Sequence, residues 1–223
     1  MITFPQIKKL FKDKSLLDLA LTHRSWINEN KHGRETNERL EFLGDAVLEF
    51  VVSNELYQRF PKKPEGFLTA LRANLVNTTN LANFAKTIEL GKEIYLSKGE
   101  VEGNGRNNPS ILADSVEALI GALYRDGGTE AAYSFITQNL LANLDEKLKE
   151  PLKDPKSSLQ ELVQAQGEIT PKYKVVSETG PDHNKTFVVE VVVGGKVLAT
   201  NKGKSKSIAE QEAATAALKK LSE

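Results

Sequence analysis

Apolar residues recur at intervals of three and four through most of the first 148 residues. This spacing predicts helices near 15–26, 37–60, 66–88, 110–125 and 128–147. The stretch "RDGG" at 125–128 reads as a helix stop followed by a new start. The polar, glycine-rich "EGNGRNNPS" at 102–110 reads as a loop, with Ser110 as the N-cap of the helix after it. No strand pattern of any length occurs before residue 148. The pattern changes after "KEPLKDPKSS", where two prolines and mixed charges predict a linker at 149–156. A short helix, "SSLQELVQAQG", follows. Then come three valine-rich segments, "KYKVVSET", "KTFVVEVVV" and "KVLATNKG", with "GG" at 194–195 suited to a tight hairpin turn. The alanine-rich "SIAEQEAATAALKKL" predicts a closing helix. The expected organisation is an all-α domain over 1–148, a linker over 149–156, and a small α+β domain of order α-β-β-β-α over 157–223.

Composition narrows the chemistry. The chain has 223 residues and no cysteine, which excludes disulfides and thiolate metal sites and fits a reducing cytoplasm. No apolar run approaches the roughly 20 residues of a membrane span, and the first residues lack the apolar core of a secretory signal. His23, His32 and His183 lie far apart in the sequence, so the expected metal is a hard cation held by carboxylates. Net charge is zero, but residues 1–150 hold 19 Lys+Arg against 21 Asp+Glu, and residues 151–223 hold 11 against 9. That split is too small to argue for a polyanionic partner; charge placement has to do so.

The acids are placed unusually. In "NERLEFLGDAVLEF", Glu38, Glu41 and Asp45 fall within about 60° of one another on a helix. They lie beside an apolar stripe of Leu40, Leu43, Val47 and Phe50 that should face the core. Glu41 and Asp45 repel at i,i+4 spacing, and Gly44 costs about 1 kcal/mol against alanine in a helix interior. A solvated acidic face with an incidental glycine is one reading; a cation site with close backbone approach is the other. A second helix, "PSILADSVEALIGALYRDGG", repeats the problem with Asp114 and Glu117 at i,i+3 among apolar residues, where burial is expensive without compensation. Two such helices can form an oxygen cage for Mg²⁺.

"NERLEFLGDAVL" closely resembles the signature of ribonuclease III, the endonuclease of double-stranded RNA. "LALTHRSW", "EGFLTALRANLV" and "ILADSVEALIGALYRDGG" resemble further blocks of that family in the same order, and the chain from Pro155 resembles a double-stranded-RNA-binding domain. The resemblance implies an all-α endonuclease domain followed by an α+β RNA-binding domain. It places Glu41, Asp45, Asp114 and Glu117 on the catalytic, metal-binding positions. Glu38 and Glu65 fall on further acidic positions as substrate-contacting or outer supports, while Glu49 matches none and reads as a surface acid. It implies Mg²⁺-dependent hydrolysis to 5′-phosphate and 3′-hydroxyl ends, and the oxygen ligands would let Mn²⁺ substitute. It also implies a cytoplasmic homodimer that processes rRNA and mRNA precursors, with no membrane association. His23 reads as a hydrogen-bonded structural residue, Trp26 as core, and Arg72 as a partner of a carboxylate or of RNA.

In the second domain, the resemblance places Gln160 and Glu161 at one minor groove of duplex RNA and His183 at the next. Lys202, Lys204 and Lys206 then meet phosphates at a helix entrance. Ser207 departs from the family, which carries a second lysine there. The competing class is a non-catalytic double-stranded-RNA-binding protein that keeps the fold. Such a protein should lack members of the acidic set, and all four key acids are present.

Overall fold

The computed structural model describes residues 2–30, 35–142, 144, 155–181 and 185–222. The chain forms two compact units, Met1–Glu150 and Pro151–Glu223. Most of the expected linker, residues 149–154, lies outside the described residues.

The first unit is helical: α1 (Phe4–Leu10), α2 (Lys14–Ala20), α3 (Arg24–Glu29), α4 (Glu38–Arg59), α5 (Glu65–Leu75), α6 (Thr78–Thr87), α7 (Lys98–Glu102) and α8 (Pro109–Phe135). Two expected helices are each a pair. The stretch 15–26 breaks at Leu21–His23, where Tyr95 donates its N–H to the Leu21 carbonyl at 2.8 Å and His23 donates its N–H to the Tyr95 carbonyl at 3.2 Å. The stretch 66–88 breaks at Asn77, whose side chain caps α6 by accepting the Asn80 N–H at 2.9 Å. Helices α1 and α7, which the pattern did not predict, are short. The cap of α8 is Asn108, not Ser110: its carboxamide oxygen accepts the Ser110 N–H at 2.9 Å. Pro109 takes the first helical position, where its missing N–H has no partner to lose. The "RDGG" break is present as Gly128, whose φ of 70° and ψ of −166° kink α8. Asp126 beside it accepts the Lys12 and Asp13 amides at 2.7 and 2.9 Å.

Helix α8 is the centre of the unit. It buries Leu112, Val116, Leu119, Ile120 and Leu123 on nearly all sides, the pattern of a helix enclosed by others. Ser115, also buried, donates its hydroxyl to the Ile111 carbonyl at 2.7 Å. Helix α4 buries Leu40, Gly44, Leu48, Val51, Val52 and Leu56 against the core. The buried seam is therefore rotated from the expected stripe: Leu43 and Val47 are half-buried, and Phe50 is 63% exposed.

The reason is Gly44. A Cβ there would lie 1.8 Å from the Glu117 carbonyl oxygen, and a Cβ at Gly121 would lie 2.1 Å from the Leu40 carbonyl oxygen. The two helices cross backbone to backbone at this glycine pair, so the glycine side of α4 faces inward. The N-terminus of α4 is fixed by buried Asn37, which donates its N–H to the Thr22 carbonyl at 2.9 Å and its carboxamide to the Ala20 carbonyl at 3.2 Å. Trp26, expected in the core, is half-buried, its ring 5.8 Å from that of Tyr95.

The second unit has α9 (Pro155–Ala165), β1 (Lys172–Thr179), β2 (Thr186–Val193), β3 (Lys196–Gly203) and α10 (Lys206–Ser222). The strands pair antiparallel in the order β1-β2-β3. Val189, Val191 and Val193 alternate into a core with Leu159, Val163, Ala213 and Ala217 of the helices. The alternation of β2 and the alanine face of α10 dictate this packing. Gly194 and Gly195 have φ of 56° and 81°, the left-handed pair that a tight hairpin turn needs.

Substituting Gly44→Ala or Gly121→Ala is expected to force the helices apart, at a cost of about 3 kcal/mol, lowering the melting temperature of the first unit by roughly 10 °C. Gly66→Ala, where a Cβ meets nothing within 4 Å, should be neutral or stabilising by up to about 1 kcal/mol. Thermal unfolding of the three variants checks this.

Candidate active site: a carboxylate cleft between two helices

The glycine crossing brings the acids of α4 and α8 together. One carboxylate oxygen from each of Glu41, Asp114 and Glu117 lies within 4.8 Å of the others. Asp45, one turn along α4, is more exposed and stands outside that set, yet its charge acts on both Glu117 and Glu41. Glu38 sits one turn the other way, accepting the Thr36 hydroxyl at 2.7 Å and facing the Arg24 guanidinium at 3.8 Å. Glu65 is not brought into the cluster. It opens α5, accepts the Thr69 hydroxyl at 2.7 Å, and lines a separate cleft with Phe50, Tyr57 and Arg72. Arg72 donates to the Ser53 hydroxyl at 2.9 Å. Glu49 is exposed.

Glu38, Glu41 and Asp114 open onto a polar cleft of about 420 Å³. Its lining includes residues that the sequence pattern did not single out for the site: Arg24, Glu100, Asn108 and Ser110. None lies on the periodic acidic lines; each comes from a helix start or a loop. His23, at the cleft edge, caps α3 by accepting the Ser25 N–H at Nδ1, 3.2 Å away. Gly121, the second half of the crossing, carried a signal that was there to read: a glycine costs about 1 kcal/mol inside an apolar helix.

Electrostatics favour a cation here. Burial, reinforced by the charges of Asp45, Asp114 and Glu41, pushes the Glu117 carboxyl up from 4.5 to about 7. Burial and the neighbouring Asp114 and Glu38 raise Glu41 as well. Burial raises Asp114, with His23 and Arg24 opposing. Burial lowers His23, with the charges of Glu100 and Asp114 opposing. Carboxylates that resist ionising together are relieved by a proton or by a hard divalent cation, and an all-oxygen donor set fits the latter.

In the second unit, Gln160 and Glu161 are exposed on α9. Lys202, Lys204 and Lys206 are exposed around the start of α10, where the Ser205 hydroxyl accepts the Ile208 N–H at 3.2 Å. Ser207 is exposed beside them. His183 lies outside the described residues.

A helical unit with a cation-ready carboxylate cleft stands on one chain with an α-β-β-β-α unit bearing a lysine-lined helix entrance, features that suit a nuclease of duplex RNA. Comparison with known proteins agrees. Residues 13–144 match the family described as Ribonuclease-III-like, and residues 155–221 match the double-stranded RNA binding motif. Ribonuclease 3 of Streptococcus pneumoniae (strain P1031) is 46% identical over 211 residues, covering 94% of this chain and 91% of that protein. The nuclease domain of ribonuclease III from Campylobacter jejuni is 41% identical, with a TM-score of 0.57, over 64% of this chain and 97% of that one. A second structure of that domain, 42% identical with a TM-score of 0.57 over 62% and 96%, is described by its flexibility in a region involved in dimer formation. The chain belongs to the ribonuclease III family, the endoribonucleases of double-stranded RNA.

The raised Glu117 carboxyl has a consequence for stability. Its folded pKa of about 7 lies above the ordinary 4.5, so the folded state keeps a proton that the unfolded state releases. That contribution is full below pH 4.5 and is lost as pH rises through 7. The metal-free protein is expected to lose about 1 kcal/mol from this group between pH 6 and 8, after discounting for partial exposure. Glu117→Gln should flatten the trend, and a divalent cation should raise the melting temperature of the wild type more at pH 8 than at pH 6. Calorimetry across that range checks both.

Proposed function

We propose that the first unit hydrolyses the phosphodiester bonds of double-stranded RNA with Mg²⁺ held by Glu41, Asp45, Asp114 and Glu117. The convergence of Glu41, Asp114 and Glu117 within 4.8 Å carries this reading. Bound there, the cation would supply an activated water, charge relief on the non-bridging oxygens, and help for the leaving oxygen. The chain's own residues set the conditions. Glu41 and Asp114 are half-buried on helices locked at the glycine crossing, so their oxygens are held in place rather than on mobile loops. Glu117, with a carboxyl near pKa 7, can hold or release a proton close to physiological pH. Asp45, more exposed, approaches from the adjacent turn. Glu38 supports the cleft rim, and Glu65 acts from its separate cleft on substrate. Mn²⁺ substitutes because the donors are all oxygen. The products carry 5′-phosphate and 3′-hydroxyl ends, and the substrates include rRNA and mRNA precursors in the cytoplasm.

The second unit supplies affinity. Gln160, Glu161 and His183 contact minor grooves, and Lys202, Lys204 and Lys206 contact phosphates, across about 16 bp of duplex. Among the described residues no helix is long and apolar enough to cross a membrane.

The working form is a homodimer. Phe42, Phe50 and Tyr57 of α4 are 80, 63 and 74% exposed. Their spacing of eight and seven residues puts them on one helix face, and contiguous exposed apolar surface marks protein interfaces. A cleft of about 360 Å³ lined by Phe50, Leu56, Tyr57 and Leu68 opens at the Phe50–Tyr57 end of that face. The related Campylobacter jejuni domain has a region involved in dimer formation.

A long, perfect RNA duplex should be cut with Mg²⁺, left intact with chelator, and left intact by Glu117→Gln, which still binds it. Binding without cutting by the wild type would move the chain to the non-catalytic class. Phe42→Glu should convert the dimer to a 24.6 kDa monomer in analytical ultracentrifugation.

A further inference from the structure

The cleavage cleft presents four carboxylates, Glu38, Glu41, Glu100 and Asp114, to a substrate that is itself a polyanion. Among the described residues lining it, one side chain carries a full positive charge: Arg24. Its backbone is rigidly held. His23 before it caps α3, accepting the Ser25 N–H, and donates its own N–H to the Tyr95 carbonyl at 3.2 Å. Thr22 before that accepts the Asn37 N–H at 2.9 Å, tying this corner to the start of α4. The side chain, by contrast, is 73% exposed, and its ion pair with Glu38 is long, at 3.8 Å. Glu38 meanwhile accepts the Thr36 hydroxyl at 2.7 Å. Exposed pairs of this length hold a side chain weakly. Arg24 lines the same cleft as Glu41 and Asp114, and its charge acts on both.

We propose that Arg24 is a substrate-contacting residue of the cleft: its guanidinium leaves Glu38 and forks two non-bridging oxygens of an RNA phosphate beside the carboxylate cluster. A planar guanidinium matches a phosphate in this two-pronged way. It supplies positive charge where the acids would otherwise repel the strand. This rests on reading the cleft as the cleavage site. The alternative role is a static counter-ion that only places Glu38.

The test uses the full chain and a defined RNA duplex with Mg²⁺. Wild type, Arg24→Ala, Arg24→Lys and Glu38→Gln are compared in single-turnover cleavage. The Arg24 and Glu38 substitutions are then repeated in a Glu117→Gln background for equilibrium binding at several KCl concentrations. Arg24→Ala is expected to slow cleavage and weaken binding roughly tenfold to hundredfold, the scale of a lost charge-assisted contact. The slope of log affinity against log salt should fall by about one, as one phosphate contact disappears. Arg24→Lys should recover the salt slope but only part of the rate, because an ammonium cannot fork two oxygens. Two results overturn the proposal: Arg24→Ala binds with an unchanged salt slope, or Glu38→Gln reproduces its losses in full. If the wild type binds but does not cut, the cleavage reading fails instead, and the salt slope still decides whether Arg24 meets phosphate.

Discussion

The crossing of α4 and α8 at Gly44 and Gly121 is the constraint on which the first unit depends. A methyl group at either position would overlap a backbone carbonyl of the other helix, and the carbonyl facing Gly44 belongs to Glu117. The contact that lets the helices touch therefore also sets the depth of a cluster carboxylate. Glu41 lies three residues before Gly44 and Asp45 directly after it; Glu117 lies four residues before Gly121. The acids flank the crossing on both helices, so a close backbone approach coincides with a cluster of negative charge. Packing and chemistry are set by the same pair of glycines.

Placing acids there opposes stability. Glu41, Asp114 and Glu117 all resist ionisation, chiefly through burial. The fold tolerates this because the rest of α8 is enclosed by apolar contacts and because the corner at Thr22, His23 and Asn37 is satisfied by main-chain hydrogen bonds. A core that over-determines its geometry can hold groups that would otherwise drift apart or draw in water. A divalent cation would remove the opposition, so occupancy and rigidity of the site should rise together.

Local spacing made much of this legible in the sequence. Asp114 and Glu117 share a face because they are i,i+3 on a helix long enough to be certain of its period. Val189, Val191 and Val193 declare a strand because every second residue is valine. What spacing could not give was the partner of each face. The stripe through Leu40, Leu43, Val47 and Phe50 was a fair reading of period, yet α4 turns its glycine side to α8 and leaves Phe50 outward. That rotation comes from a tertiary contact made 77 residues away in sequence, at Gly121. The cap of α8 was missed by two residues because Pro109 fits the first helical turn and leaves Asn108 to cap it. Arg24 and Glu100 were invisible as cleft residues because they arrive from the first turns of two short helices, α3 and α7, too short for a period to extrapolate.

The two units divide the electrostatic work in a way that follows from these details. A cleft lined by Glu38, Glu41, Glu100 and Asp114 suits a hard cation and repels an RNA strand, so the cleft itself is poorly placed to gather substrate by charge. The second unit instead places its positive charge: Lys202, Lys204 and Lys206 are exposed around one helix entrance. Phosphate contacts carry most of the affinity for a duplex and little of its sequence information. A lysine-bearing unit on the same chain raises the local concentration of duplex at a site that could not attract it alone. The acids of α4 and α8 are then free to be arranged for chemistry rather than for binding.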